Sequence, residues 1–132
     1  YKILKFIRLD KTKKIIFKKG SEKKIDKFDE ILFVKFREIL NSAQNIAIKN
    51  NSKFYFVYLP EYNRYHKGYA NKNYHLIKRI VNDLKIPFID IDKEVFRKEQ
   101  NPLKLFPNEK MGHYNEGGYQ KVAETIFNFT KN

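Results

Sequence analysis

The sequence predicts an α/β fold in three layers, with parallel strands lying between flanking helices. Three observations lead there. One long segment repeats its apolar residues at helical spacing, one short segment is apolar on both faces of an extended chain, and a helix followed by a second short strand comes after it. A strand buried on both sides belongs in a sheet covered by helices on both faces, and strands alternating with helices are the signature of βαβ units. With 132 residues, one domain or a piece of one is enough.

Residues 1–27 form a basic lead-in, with eleven lysines and arginines against Asp10, Glu22 and Asp26. Ile3, Leu4, Phe6, Ile7 and Leu9 suit a short amphipathic helix, Ile15-Ile16-Phe17 a short apolar run, and Gly20-Ser21 a break. Residues 28–132 are expected to be the folded part. Their first element is a helix to about Lys49, on the spacing of Phe28, Ile31, Leu32, Val34, Phe36, Ile39, Leu40, Ala43, Ile46 and Ala47. Asn50-Asn51-Ser52 ends it. A strand follows over 53–59, with Phe54, Phe56 and Tyr58 on one face, Tyr55, Val57 and Leu59 on the other, and Pro60 as its stop. A loop over 61–71 leads to a helix over 72–85, with Tyr74, Ile77, Ile80, Val81 and Leu84 as its buried stripe. Pro87 then introduces the strand Phe88-Ile89-Asp90-Ile91. A helical turn near 93–98 and an irregular stretch over 100–112 come before a final helix starting after Asn115.

Composition narrows the classes of function. Hydrophobic residues at 42% and aromatics at 16% supply a core and argue against wholesale disorder. The absence of cysteine excludes disulfides, thiolate zinc sites and thiol catalysis. His66, His75 and His113 are too scattered to suggest a metal site, so none is expected. The net charge of +13 raises nucleic acid as a partner. However, the lead-in alone holds +8 of it. The aromatic strand is apolar on both faces and lacks the glycines of an RNA-binding sheet, so no specific nucleic acid is expected. No segment reaches the length of a membrane span, and the start has no signal-peptide core. The chain opens on Tyr1 and is expected to be a trimmed piece of a longer protein. A periplasmic or membrane-associated parent would carry its address upstream.

In a parallel α/β sheet, ligands bind beyond the carboxyl ends of the strands. Two loops leave such ends here. The first holds Tyr62, Arg64 and Tyr65, where an arginine among aromatics suits an anionic substrate group; a solvated loop whose aromatics cover the sheet end is the plainer reading. The second runs from Asp90 into Gly112-His113-Tyr114-Asn115-Glu116-Gly117-Gly118-Tyr119. Asn115 can cap the last helix and so aim His113, whose imidazole can move a hydroxyl proton near neutral pH. Gly117 and Gly118 would let the first turn approach neighbouring backbone. The plain alternative is a loop histidine bonded near the cap.

This motif, the Ile89-Asp90 strand end and the order of elements resemble the C-terminal part of the SGNH (GDSL) hydrolases. The resemblance covers about residues 28–130 and is similar to a bacterial branch with a Gly-His-Tyr-Asn motif. It implies a flavodoxin-like sheet and an esterase or O-acyltransferase acting on acyl esters, carbohydrate O-acetyl groups among them, without a cofactor. On it, His113 is the general base for a serine, supported by Gly112, Asn115 and Gly118. The family's orienting aspartate falls on Lys110 here, so Glu109, Asp90 and Asp92 are the candidate acids. The Gly-Asp-Ser nucleophile segment has no counterpart, since Ser21, Ser42 and Ser52 all lie in unsuitable places. The chain alone is therefore expected to be inactive, and a nucleophile to lie upstream. The alternative is a non-catalytic binding or scaffold relative. Exposed sheet edge in such a piece leads to an expectation of self-association.

Overall fold

The computed structural model describes residues 27–131; the lead-in with its proposed helix, apolar run and Ser21 lies outside them, apart from the start of the first helix. The chain divides into two compact units, 1–32 and 33–132, and every side chain discussed below lies in the second. In order, the elements are α1 (Lys27–Lys49), β1 (Phe56–Tyr58), α2 (Tyr74–Asp83), β2 (Phe88–Asp90), α3 (Ile91–Glu94) and α4 (Glu116–Thr130). Single 3-10 turns occupy Tyr62–Tyr65, Phe96–Lys98, Pro102–Leu105 and Pro107–Glu109.

The fold is α/β, mixing these helices with a small sheet. β1 and β2 are parallel, with Phe56 opposite Phe88, Val57 opposite Ile89 and Tyr58 opposite Asp90. The pleat divides their side chains between two apolar clusters. Phe54, Phe56 and Phe88 pack with Leu40 of α1, with Ile80 and Val81 of α2, and with Ile86. Tyr55, Val57 and Ile89 pack with Ile91, Val95, Phe96, Leu105, Phe106 and Val122 of α4. Each face of the sheet thus has its own cluster. Both strands are shorter than their apolar runs, because β1 has a ladder partner only along three residues and Asp90 turns the chain at once into α3.

Two helices end by the same device. Asn51 and Lys85 both adopt left-handed backbone, with φ of 51° and 57°. Beyond them, Ser52 N–H donates to Ala47 C=O at 2.9 Å and Ile86 N–H to Val81 C=O at 3.1 Å. These are Schellman closures. Asparagine tolerates that conformation, whereas Lys85 costs about 1 kcal/mol there. Burial of Ile86 against Val81, 3% and 0% exposed, offsets it.

The ten apolar positions of α1 are not all core. Leu40 is buried, and Phe33 and Phe36 pack against its cluster. Ile39 and Ile46 remain 66% and 62% exposed. Periodicity marks which residues share a face but not whether anything covers it. The stretch over 100–112 departs from expectation the other way: Leu105 and Phe106 are buried in the core, at the junction of two 3-10 turns that each begin with a proline, Pro102 and Pro107.

Candidate active site

The start of α4 is fixed by one side chain. Asn115 Oδ1 accepts from Gly118 N–H at 2.9 Å, the cap of the helix. Its Nδ2 donates to Lys104 C=O at 2.7 Å and Phe106 C=O at 3.4 Å, while its own N–H donates to Leu105 C=O at 2.9 Å. Three successive carbonyls of the 3-10 segment are thereby stitched to the helix start. Asparagine suits this because it presents an acceptor and donors on one short stem.

The two glycines of the first turn differ. A Cβ on Gly118 would come 2.6 Å from Leu105 O and 3.0 Å from the Tyr114 Cβ, so no larger residue fits. A Cβ on Gly117 would meet only Asn115 Oδ1, at 3.7 Å, and one on Gly112 would meet nothing within 4 Å. Close approach therefore explains Gly118 alone.

Tyr114 ties the motif to the sheet. Its hydroxyl donates to Pro60 C=O at 2.5 Å, just beyond the carboxyl end of β1. Its ring lies 4.9 Å from Phe96 and 5.3 Å from Phe106, inside the second cluster. His113 precedes it and is exposed, with no hydrogen bond, ion pair or ring contact among the described residues. Asn115, Gly118 and Tyr114 each have a structural task; His113 has none.

The three candidate acids are engaged elsewhere. Asp92 is 2% exposed. Its Oδ2 lies 2.7 Å from both Arg64 Nη2 and Arg97 Nε, and its Oδ1 accepts from the Tyr65 hydroxyl at 2.9 Å. Asp90 accepts from Lys93 N–H at 3.3 Å, capping α3, and from the Tyr74 hydroxyl. Glu109 accepts from Asn101 Nδ2 at 3.2 Å. None of them bonds to His113, so the structure supplies no orienting carboxylate from this set.

Arg64 also departs from the substrate-binding expectation. Its side chain is 8% exposed and points inward. Besides Asp92, it donates to the Tyr58 hydroxyl at 3.1 Å and stands 5.2 Å from the centre of the Tyr74 ring and 5.5 Å from that of Tyr58. Burial works against its charge, but the hydrogen bond and charge of Asp92 prevail and raise its pKa. The Tyr65 phenol is pushed far above its usual range by burial and by the Asp92 charge. Tyr65 stacks on Phe96 at 5.5 Å, and Tyr62 packs edge-on to Phe106 while donating to Glu109 C=O at 3.0 Å. A carboxylate with three donors, enclosed in low dielectric, holds the loop after β1 against the loop after β2. Arg64 is committed to that task, which leaves its guanidinium no free edge for a substrate anion.

Sequence reading missed Arg97 and the carbonyls of Lys104 to Phe106, and it placed Tyr74 in a buried stripe without its bond to Asp90. Only the aspartates flanking Ile91 hinted at a paired acid here. Ser42 is exposed on α1, and Ser52, whose hydroxyl donates to Asn50 C=O at 3.1 Å, precedes β1 at the opposite end of the strand from Pro60. Among the described residues no group of three or more His, Cys, Asp or Glu could hold a metal ion, and no helix is long and apolar enough to cross a membrane. Comparison of the chain with protein-family models, curated proteins and solved structures gives no match.

Proposed function

We propose that this chain is the C-terminal part of a flavodoxin-like, three-layer SGNH-type domain whose parent cleaves or transfers acyl esters, with His113 as general base. One observation carries the reading. In the Gly112–Gly118 motif, Tyr114, Asn115 and Gly118 are accounted for by packing and hydrogen bonds, whereas the histidine is exposed and unpartnered one residue from the Tyr114–Pro60 bond. A residue held firmly by its neighbours yet spared by them is available for proton transfer.

In the proposed reaction, His113 takes the proton of a serine hydroxyl as that oxygen attacks an ester carbonyl. It then returns the proton to the departing alcohol, and water or a second alcohol releases the acyl group. The serine belongs to a segment upstream of Tyr1. Carbohydrate O-acetyl groups are the proposed substrates. On this reading the open edge of β1 and the exposed Ile39 and Ile46 are covered by upstream strands. The chain by itself then self-associates, which sedimentation over a range of concentrations would detect.

A second reading, a non-catalytic relative kept for binding, is favoured by the engagement of Asp90, Asp92 and Glu109 elsewhere. The encoded reading frame separates the two. A Gly-Asp-Ser segment upstream of Tyr1, with fluorophosphonate labelling of that serine, supports the enzyme. A start codon immediately before Tyr1 leaves no nucleophile and overturns it.

A further inference from the structure

The outer edge of β2 opens into a groove of about 500 Å³, lined by α2, α3 and Phe129 of α4. Phe56 N–H donates to Pro87 C=O at 2.9 Å, so Pro87 faces β1. Backbone groups alternate sides along a strand, so the N–H and C=O of Phe88 point the other way, into the groove. The sheet has two strands among the described residues, and this edge is unpaired. An unpaired edge is a template for another extended segment.

The charge around the groove selects what that segment can be. Lys78, Lys85 and Lys93 line it, with Asp90 and Glu94 as its acids. Both acids are engaged: Asp90 with Tyr74 and the start of α3, and Glu94 with Lys98 at 3.0 Å. Lys85 and Lys93 make no ion pair among the described residues. Lys78 lies over the rings of Tyr74 and Phe88, 5.7 and 5.6 Å from their centres, so its ammonium is fixed beside the open edge. Phe88 and Phe129, the latter 47% exposed, add apolar wall.

We propose that this groove binds an extended acidic peptide segment of a partner protein, which adds as a strand beside Phe88 with its carboxylates toward Lys78, Lys85 and Lys93. Backbone pairing supplies the direction, and the lysines supply the choice of partner. At this groove a second copy is the wrong occupant, because the extended segment it would offer, 53–59, carries Lys53 and no acid to meet the three lysines. The inference is independent of the chemistry proposed for His113, which lies in another loop.

The test uses the full chain and a fluorescein-labelled peptide alternating glutamate and threonine, followed by anisotropy at low salt. Binding is expected to weaken as salt rises, and to fall about tenfold in the triple variant Lys78→Ala, Lys85→Ala, Lys93→Ala. Circular dichroism checks that this variant folds. The single reversal Lys85→Glu should weaken the acidic peptide and strengthen a lysine–threonine one. Two further peptides, N-methylated at alternate amides along one edge or the other, separate strand addition from charge attraction alone. Loss of binding by either supports the proposal. Equal binding by all three peptides makes the groove a general anion surface and overturns it, as does absence of binding at low salt.

Discussion

Arg64 Nη2 and Asp92 Oδ2 lie 2.7 Å apart, with side chains 8% and 2% exposed, and join the loop after β1 to the turn after β2. The same carboxylate oxygen meets Arg97, whose side chain is 65% exposed. Removing one partner of a buried pair strands the other charge in low dielectric, so Asp92→Ala should lower unfolding free energy by about 3–5 kcal/mol. Arg97→Ala removes a partner that water can replace and should cost under about 1 kcal/mol. Urea denaturation of the two variants checks the contrast. Equal losses would mean that Arg64 finds another counter-charge.

Gly117 and Gly118 offer a second contrast within one helical turn. Gly118→Ala drives a methyl group into Leu105 O at 2.6 Å and should destabilise by about 1–3 kcal/mol. Gly117→Ala meets no obstacle nearer than 3.7 Å and should stabilise by up to about 1 kcal/mol through better helix propensity. Thermal unfolding midpoints should move in opposite directions. A shift of the same sign in both would contradict the close approach between α4 and the Leu105 backbone.

Much of this architecture was legible in the sequence because it depends on local signals. The order of helices and strands followed from apolar period, Pro60 and Pro87 marked strand limits, and Asn115 stood at a helix start. What could not be read depends on partners distant in sequence. Asp92 looked available to orient His113 because nothing local shows that Arg64, 28 positions earlier, occupies it. Arg64 looked like an anion ligand for the same reason. Leu105 and Phe106 had no period to announce them, since 3-10 turns set side-chain directions that neither the helix nor the strand template fits. Ile39 and Ile46 had the right period but lack cover among the described residues.

Alkaline pH should loosen this structure through its tyrosines. The Tyr74 phenol is pushed up to about 12 by burial and then by its bond to Asp90, and that of Tyr69 to about 12, chiefly by its bond to Glu61. Tyrosine in the unfolded chain ionises near ~10, so the native state holds protons that the unfolded state has already released. Their contribution is therefore complete below about pH 10 and declines as pH rises toward about 12. The urea midpoint should fall between about pH 9 and about pH 11, and the fall should be smaller in Tyr74→Phe. Identical slopes for the two proteins would remove Tyr74 from the account.

The most direct measurement is kcat/KM for hydrolysis of 4-nitrophenyl acetate by the whole encoded protein, with and without His113→Ala. The side chain is exposed and unpartnered, so the unfolding free energy should stay within about 0.5 kcal/mol of the parent. Turnover should fall by about 10²–10⁴-fold, the range for loss of a general base. Turnover unchanged by the substitution, or an intact protein with no turnover and no fluorophosphonate labelling, would contradict the role assigned to His113.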